Sequence, residues 1–597
     1  MNMTHLLRIA SIIILLAVIT GNPALSQYSK NMLLPIEDEG YQMTIQKFVQ
    51  LPNEGESSPR INSMSFTGSR LFASTEGGKI YEIVDNEAVL FFDVSEAIPE
   101  NTGRELVATG NWHSGLRSIA FHPEFNTNGK FYTSLMEERP ADVSSFHYLS
   151  DVTNPIEADG VVVEWTYDTI SDEVVADSYR GLFRVGVPYF DHTIKQIMFN
   201  RHAQPEDEDY GLLYIGHGDG NPYFNPAQRG QNNDARGKIL RIDPLQTDST
   251  AYSVPATNPF VNDPDWIDEI YATGMRNPHS LCFTKAQSGE VFLISGNAGR
   301  DNIEEINVVY KGENYGWSDR EGTYVQLAAG GLNTGIEALP DNEAEMGYTY
   351  PAAQWSRSAP LFSSYSALSI VGGYDVTVEE TGEHIYLSAD FPQSGIILYN
   401  EVDALTSAVT KLDPAEPSRD TPEELTQAPF KVMSILFDDD SESSTPPVEY
   451  NSMRPVITGD PDHDESNRSD VRFGQDADAN VYIMSKRNGW IYKILSVSPP
   501  QAIPDAIATV DVNREIEIFP NPVTADGNLS VAFNNVTENH LTISLIDAYG
   551  KKVYEKTMEA GNIRYEIELG KINLSPGYYL FRIISGDTIK TGKLNIL

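Results

Sequence analysis

The chain has little cysteine, little positive charge and almost no long apolar run, and each shortage excludes something. Cys282 is the only cysteine in 597 residues. An intramolecular disulfide is therefore impossible, and so is a thiolate metal cluster. Cys282 lies in the apolar triplet Leu281–Phe283, where a thiol serves as a small buried hydrophobe. Lysine and arginine number 42 against 85 aspartates and glutamates, a formal net charge of −43. Nucleic acid is a poor partner for such a chain, because phosphate contacts need clustered cations. The charge suits solubility in an extracellular setting, and part of the acidic surface could also bind calcium. The one apolar run near the N-terminus, Ile9–Ile19, is too short for the ~20 residues of a membrane span. Arg8 before it and Ala24-Leu25-Ser26 after it make residues 1–26 a signal peptide, cleaved before Gln27. The expectation is an exported, soluble protein with no transmembrane segment. Also missing are a P-loop, a Rossmann glycine fingerprint, HExxH and GxSxG.

What is present is repetition. An apolar strand, a turn and a second apolar strand recur at Ile61–Val84, Leu116–Leu135, Ile194–Ile242, His279–Gly299, Ser369–Asn400 and Asp470–Leu495. Internal repeats of short strands at this spacing predict an all-β fold, a six-bladed β-propeller over residues 27–495. Tyr41–Leu51 alternates weakly and is a candidate strand for closing the ring with the last blade. The acidic loops Asp438–Val448 and Gly459–Ser466 read as solvated excursions, with a metal site as the alternative. Residues 496–513, SVSPPQAIPDAIATVDVN, read as a linker. A small β-sandwich over residues 514–597 follows, with strands at Leu529–Phe533, Leu541–Asp547, Tyr565–Leu569 and Tyr578–Ile584.

The stretch from Tyr271 to Trp317 holds most of the chemistry. It contains RNPHSLCF, a Gly-rich acidic loop that runs into EEIN at Asn307, and NYGW. In this order the three motifs resemble the central signature of the soluble PQQ-dependent aldose dehydrogenases, the glucose/sorbosone dehydrogenase family. The resemblance implies a six-bladed propeller with Ca2+ and pyrroloquinoline quinone on its axis, although the family includes non-catalytic relatives. It also implies a sugar substrate and an extracellular or periplasmic electron acceptor. At the C-terminus, IFPNPV, IDAYGKKV and LSPGYYLFRI resemble the sorting domain of the type IX secretion system. That resemblance implies passage through the type IX machinery to the cell surface or medium; a carbohydrate- or surface-binding sandwich is the alternative.

Oxidising a sugar hemiacetal needs a base for the hydroxyl proton and an acceptor for the hydride. By position, the resemblance makes His192 the base and Asp219, in Gly218-Asp219-Gly220, the group that orients it. Taken alone, His192 reads as the cap of a strand end. Arg276 and Asn277 of the RNP corner are implied to contact the quinone side of the cofactor, Arg276 as part of the catalytic set. His113 falls where the family places a polar residue near the cofactor. The backbone carbonyls of Gly299 and Arg300 are implied to hold Ca2+, with Glu305 and Tyr315 at a second, structural calcium. An exposed loop carboxylate is the other reading of Glu305. PQQ carries three carboxylates, so its pocket should supply cations. Here the chain departs from the family, with Gln393 at an expected lysine and Ser469 at an expected arginine. Arg468 is the neighbouring cation, and Arg472 belongs either to the site or to the next strand. These departures leave a glycan- or protein-binding propeller as the runner-up, and a calcium-dependent lactonase as a third reading.

Overall fold

The computed structural model describes residues 34–597 apart from 109–113, 142–157, 187–191, 221–232, 246–249, 330–331, 358–368, 415–423, 440–446, 500–515, several short stretches beyond 519 and a few single positions. Residues 1–26, His113, most of the 496–513 stretch and most of the Asp438–Val448 loop lie outside the described residues. The chain divides into two compact units, residues 1–500 and 501–597.

The first unit is all-β. Five blades are antiparallel sheets of four strands in chain order, the second with a short extra hairpin and the fourth with an insertion. Their innermost strands are Ile61–Thr67, Leu116–Phe121, Ile194–Phe199, Pro278–Lys285 and Ile370–Thr377. The sixth blade, built on Val471–Gln475, Val481–Ser485 and Trp490–Ser498, takes Gln42–Gln50 as its next strand. Each innermost strand packs against that of the next blade, and the sixth against the first, so six blades form a closed ring. The N-terminal strand pairs antiparallel with Trp490–Ser498 and parallel with Ser434–Asp438. The expected closing strand is thus real, and all six sequence repeats fall on blades.

Local chemistry makes the blades. In blade 1, Gly68 at φ 53 opens a two-residue hairpin between Thr67 and Arg70. The inner strand Leu116–Phe121 is buried along its whole length, as expected for a strand covered on both faces. The core lies between neighbouring sheets. Phe72 and Ile80 of blade 1 pack on Leu116, Phe131 and Trp165 of blade 2, and Val371 and Leu387 of blade 5 pack on Phe473 and Ile483 of blade 6.

A three-stranded insert, Arg320–Glu321, Tyr324–Ala329 and Leu332–Ala338, interrupts blade 4 before its last strand, Ala353–Ser356. The second unit holds a three-stranded and a four-stranded antiparallel sheet, with strands from Ile516–Phe519 to Thr588–Ile596. Leu529, Val531, Ile543, Leu545, Phe581 and Leu594 fill its core. Lys552–Glu559 and Thr588–Ile596 are strands that the sequence reading did not mark. Among the described residues no helix is long and apolar enough to cross a membrane.

Candidate functional site

The starts of the innermost strands and the ends of their antiparallel partners share one face of the ring. His192 precedes the inner strand of blade 3, and Asp219 follows that blade's second strand. Arg276 and Asn277 precede the inner strand of blade 4, and Gly299 and Arg300 follow its second strand. Gln393 and Arg468 occupy the matching places in blades 5 and 6. Hydrogen bonds join the blades at this end: Asp219 N–H to the Arg276 carbonyl (2.7 Å), Ile370 N–H to Glu304 (2.8 Å), Ser469 Oγ to the Gln393 carbonyl (3.1 Å), Lys486 to Glu76 (3.2 Å) and Ser114 to Glu76 (3.1 Å).

His192 and Asp219 are both buried, with His192 Nδ1 2.6 Å from Asp219 Oδ1. The other carboxylate oxygen accepts from Trp317 Nε1 at 3.0 Å. An ionised carboxylate only accepts, so a neutral His192 ring carries its proton on Nδ1 and has Nε2 as its acceptor. His192 takes φ 49, a left-handed conformation that few non-glycine residues adopt, and its carbonyl accepts the Gly220 N–H at 3.2 Å. Gly218 permits this approach. A Cβ at Gly218 would lie 2.7 Å from the His192 Cβ and carbonyl oxygen. The Arg276 guanidinium lies 5.6 Å from the centre of the Trp317 ring, and Asn277 is buried with Oδ1 unpartnered among the described residues.

The loop after Asn297 is shorter than the sequence suggests, because Ile303–Val309 is a strand. Glu321, from the insert, fixes it. Its Oε1 accepts the backbone N–H groups of Arg300, Asp301, Asn302 and Ile303 at 2.7, 3.1, 2.9 and 3.1 Å. The carbonyls expected to hold Ca2+ accept guanidinium N–H instead. Gly299 O accepts from Arg357 Nη2 (2.7 Å) and from Arg276, and Arg300 O accepts from Arg357 Nη1 (2.8 Å). As built, this oxygen pair does not fit a divalent ion. Glu305 is not an exposed loop carboxylate. It lies buried within the strand and accepts from Asn297 (2.8 Å), Asn307 (3.0 Å) and the Gly322 N–H (2.6 Å). The Tyr315 hydroxyl donates to the Val308 carbonyl (2.6 Å) and accepts the Tyr310 N–H (2.9 Å), so the two side chains are not brought to one metal.

Apart from Arg472, the cations here come from positions the sequence reading did not weigh. Arg60 Nε and Lys486 Nζ lie 2.8 and 3.2 Å from Glu76 Oε2. Burial alone would raise the Glu76 carboxyl, but Lys486, Arg60 and Arg117 outweigh it and hold it down at about 2. Arg472 does belong to the strand Val471–Gln475, yet it is buried within this group. Burial, then Arg117, push its guanidinium down to about 9, and its Nη2 is unpartnered among the described residues. Burial likewise drives the Lys486 ammonium well below its ordinary value. Arg60, Arg117, Arg472 and Lys486 thus gather around Glu76, while Arg468 (2.6 Å) and Arg487 pair with Asp470. Buried cationic side chains gathered at this end suit the carboxylates of an anionic ligand.

Trp317 was within reach of the sequence, since it ends the NYGW motif. Glu76, Arg117, Glu321, Arg357 and Lys486 carried no signal; a Lys-Arg pair after a strand reads as a solvated turn.

Residues 63–373 match the model of the Glucose / Sorbosone dehydrogenase family, and residues 517–597 match that of the Secretion system C-terminal sorting domain. HIPL1 protein of Arabidopsis thaliana is 28% identical over 405 residues, 60% of this chain and 55% of its own length. Quinoprotein glucose dehydrogenase B of Acinetobacter calcoaceticus is 26% identical over 286 residues, 42% of this chain and 51% of its own. The chain thus spans about half the length of these curated relatives. The solved PQQ-bound aldose sugar dehydrogenase of Streptomyces coelicolor is 16% identical and superposes with a TM-score of 0.42, covering 78% of this chain and 99% of that one.

Proposed function

Because the chain belongs to the glucose/sorbosone dehydrogenase family, we propose that it is a secreted quinoprotein oxidoreductase that oxidises an aldose at the anomeric carbon. The observation that carries this reading is the buried His192–Asp219–Trp317 chain, which leaves Nε2 as the ring's acceptor on the face where Arg276 and Asn277 lie. His192 Nε2 takes the proton of the anomeric hydroxyl as hydride leaves that carbon, and Asp219 stabilises the imidazolium that forms. Trp317 holds the carboxylate so that it cannot turn from the ring. Pyrroloquinoline quinone, when bound, supplies the ortho-quinone that receives the hydride. Arg117, Arg472 and Lys486 would hold its carboxylates, with Arg276 and Asn277 beside the quinone. An extracellular or periplasmic acceptor would take up the electrons. No step is assigned to calcium, since the oxygens expected to bind it face Arg276 and Arg357. The sorting domain implies export through the type IX machinery, to the cell surface or the medium.

The test is a PQQ titration of the full chain followed by a panel of aldoses. Stoichiometric binding with bleaching of the quinone absorbance is the expected result, and binding without reduction by any aldose would refute it. The arginine-filled carbonyl pair favours a second reading, a propeller that binds glycan or protein without turnover. Hedgehog-interacting protein of Homo sapiens, whose name records an interaction, is 30% identical over 217 residues. Ligand binding retained in His192→Ala, with no turnover in either form, would select the second reading.

A further inference from the structure

Two consecutive carbonyls, of Gly299 and Arg300, converge on one guanidinium, and the loop that presents them is built for the purpose. Glu321 gathers the four amide N–H groups of residues 300–303 on one oxygen, so these donors are committed away from the carbonyls. Gly299 admits no side chain, because a Cβ there would lie 1.7 Å from the Ile303 carbonyl oxygen. The result is a cradle of oxygens suited to a positive charge.

Arg357 fills it as a fork. Nη1 meets Arg300 O at 2.8 Å, Nη2 meets Gly299 O at 2.7 Å, and Nε pairs with Glu304. Glu304 is itself fully buried and accepts the Ile370 N–H with its other oxygen at 2.8 Å. The carboxylates nearby are committed: Glu305 to Asn297, Asn307 and Gly322, and Glu321 to the loop. A calcium ion needs six to eight oxygens at about 2.3–2.6 Å. Here it would have to displace guanidinium donors from both carbonyls while Arg276 and Arg357 repelled it.

We propose that the Arg357 guanidinium is the resident cation of this cradle, so that the protein binds no divalent ion on the Gly299 and Arg300 carbonyls and presents its own positive charge at that point of the ring face. Arginine suits the place, since its planar fork matches two oxygens and its charge does not depend on metal supply. The inference rests on reading this face as the ligand site, but not on sugar oxidation, and its test involves no turnover. The full chain, Arg357→Ala and Arg357→Lys would be titrated with Ca2+ by calorimetry and with Tb3+ by tryptophan-sensitised luminescence. The wild-type protein would also be crystallised in millimolar Ca2+. Arg357→Ala should gain about one ion per chain over wild type, Arg357→Lys should gain none, and the crystals should show Arg357 on the carbonyls. An ion ligated by Gly299 and Arg300 in the wild-type crystals overturns the proposal, even where the alanine variant fails to fold. So does equal ion stoichiometry in wild type and a folded Arg357→Ala.

Discussion

Replacing Asp219 by asparagine keeps the side chain's shape, removes its charge and creates a conflict that the structure makes specific. Two N–H donors point at this carboxylate, from His192 Nδ1 at 2.6 Å and Trp317 Nε1 at 3.0 Å. An asparagine has one oxygen and one NH2. If the oxygen keeps Trp317, the amide faces the ring and forces the proton onto Nε2, which removes the base. If the oxygen keeps His192, the amide opposes the indole N–H. The lost charge alone is worth about 4 kcal/mol, taking imidazolium and carboxylate centres roughly 4 Å apart at an effective dielectric near 20. At about 1.36 kcal/mol per decade that is about a thousandfold in kcat. Trp317→Phe should cost about tenfold, one hydrogen bond to a charged group. The double variant Asp219→Asn/Trp317→Phe should recover about tenfold over Asp219→Asn, because the amide oxygen is then free to serve His192. The assay is quinone-coupled dye reduction, with PQQ affinity measured in parallel and expected to be unchanged. A double variant no more active than Asp219→Asn would refute the conflict, and an Asp219→Asn within tenfold of wild type would refute the dyad itself.

Glu321→Ala should leave the loop amides without an acceptor. Each orphaned buried donor costs about 1–3 kcal/mol, and because such costs do not add fully, a total loss of about 4 kcal/mol is expected. Hydrogen exchange over residues 300–303 should lose its protection, and retained protection would sink the assignment. Glu76 is held at about 2 against an ordinary 4.5, so its stabilisation is present above pH 4.5 and is lost as the pH falls toward 2. That gap is worth about 3 kcal/mol at ~1.36 kcal/mol per pH unit, so denaturant melts of wild type and Glu76→Gln should differ by this much above pH 4.5 and converge near pH 2. A difference that does not change with pH would contradict the cation cluster. Arg472→Gln should weaken PQQ binding by about 10- to 100-fold, the scale of one charged hydrogen bond, with little effect on the unfolding midpoint. Unchanged affinity would place the cofactor's carboxylates elsewhere.

The blades were legible because strand periodicity and turn chemistry are local. Ile61–Val84 shows its alternation and its Gly68 turn within a few residues, and the same holds for the other five repeats. His192, Asp219, Arg276 and Asn277 were marked only by the resemblance of their motifs to a family, and strand geometry alone read His192 as the cap of a strand end. Each sits at a fixed offset from the end of a strand, and a ring of equivalent strands brings such ends to one face. The propeller, the sorting domain and the components of the dyad were therefore written in the order of the residues. What fills the face was not. Lys486 reaches Glu76 across 410 residues only because the last blade closes on the first. Arg357 reaches the Gly299 carbonyl across 58 residues only because the insert carrying Glu321 turns that loop toward it. Whether a charged side chain is solvated or buried against a partner depends on which distant charges and oxygens surround it. Only ring closure decides that, because the cost of burying a charge is set by neighbours that the local sequence does not contain.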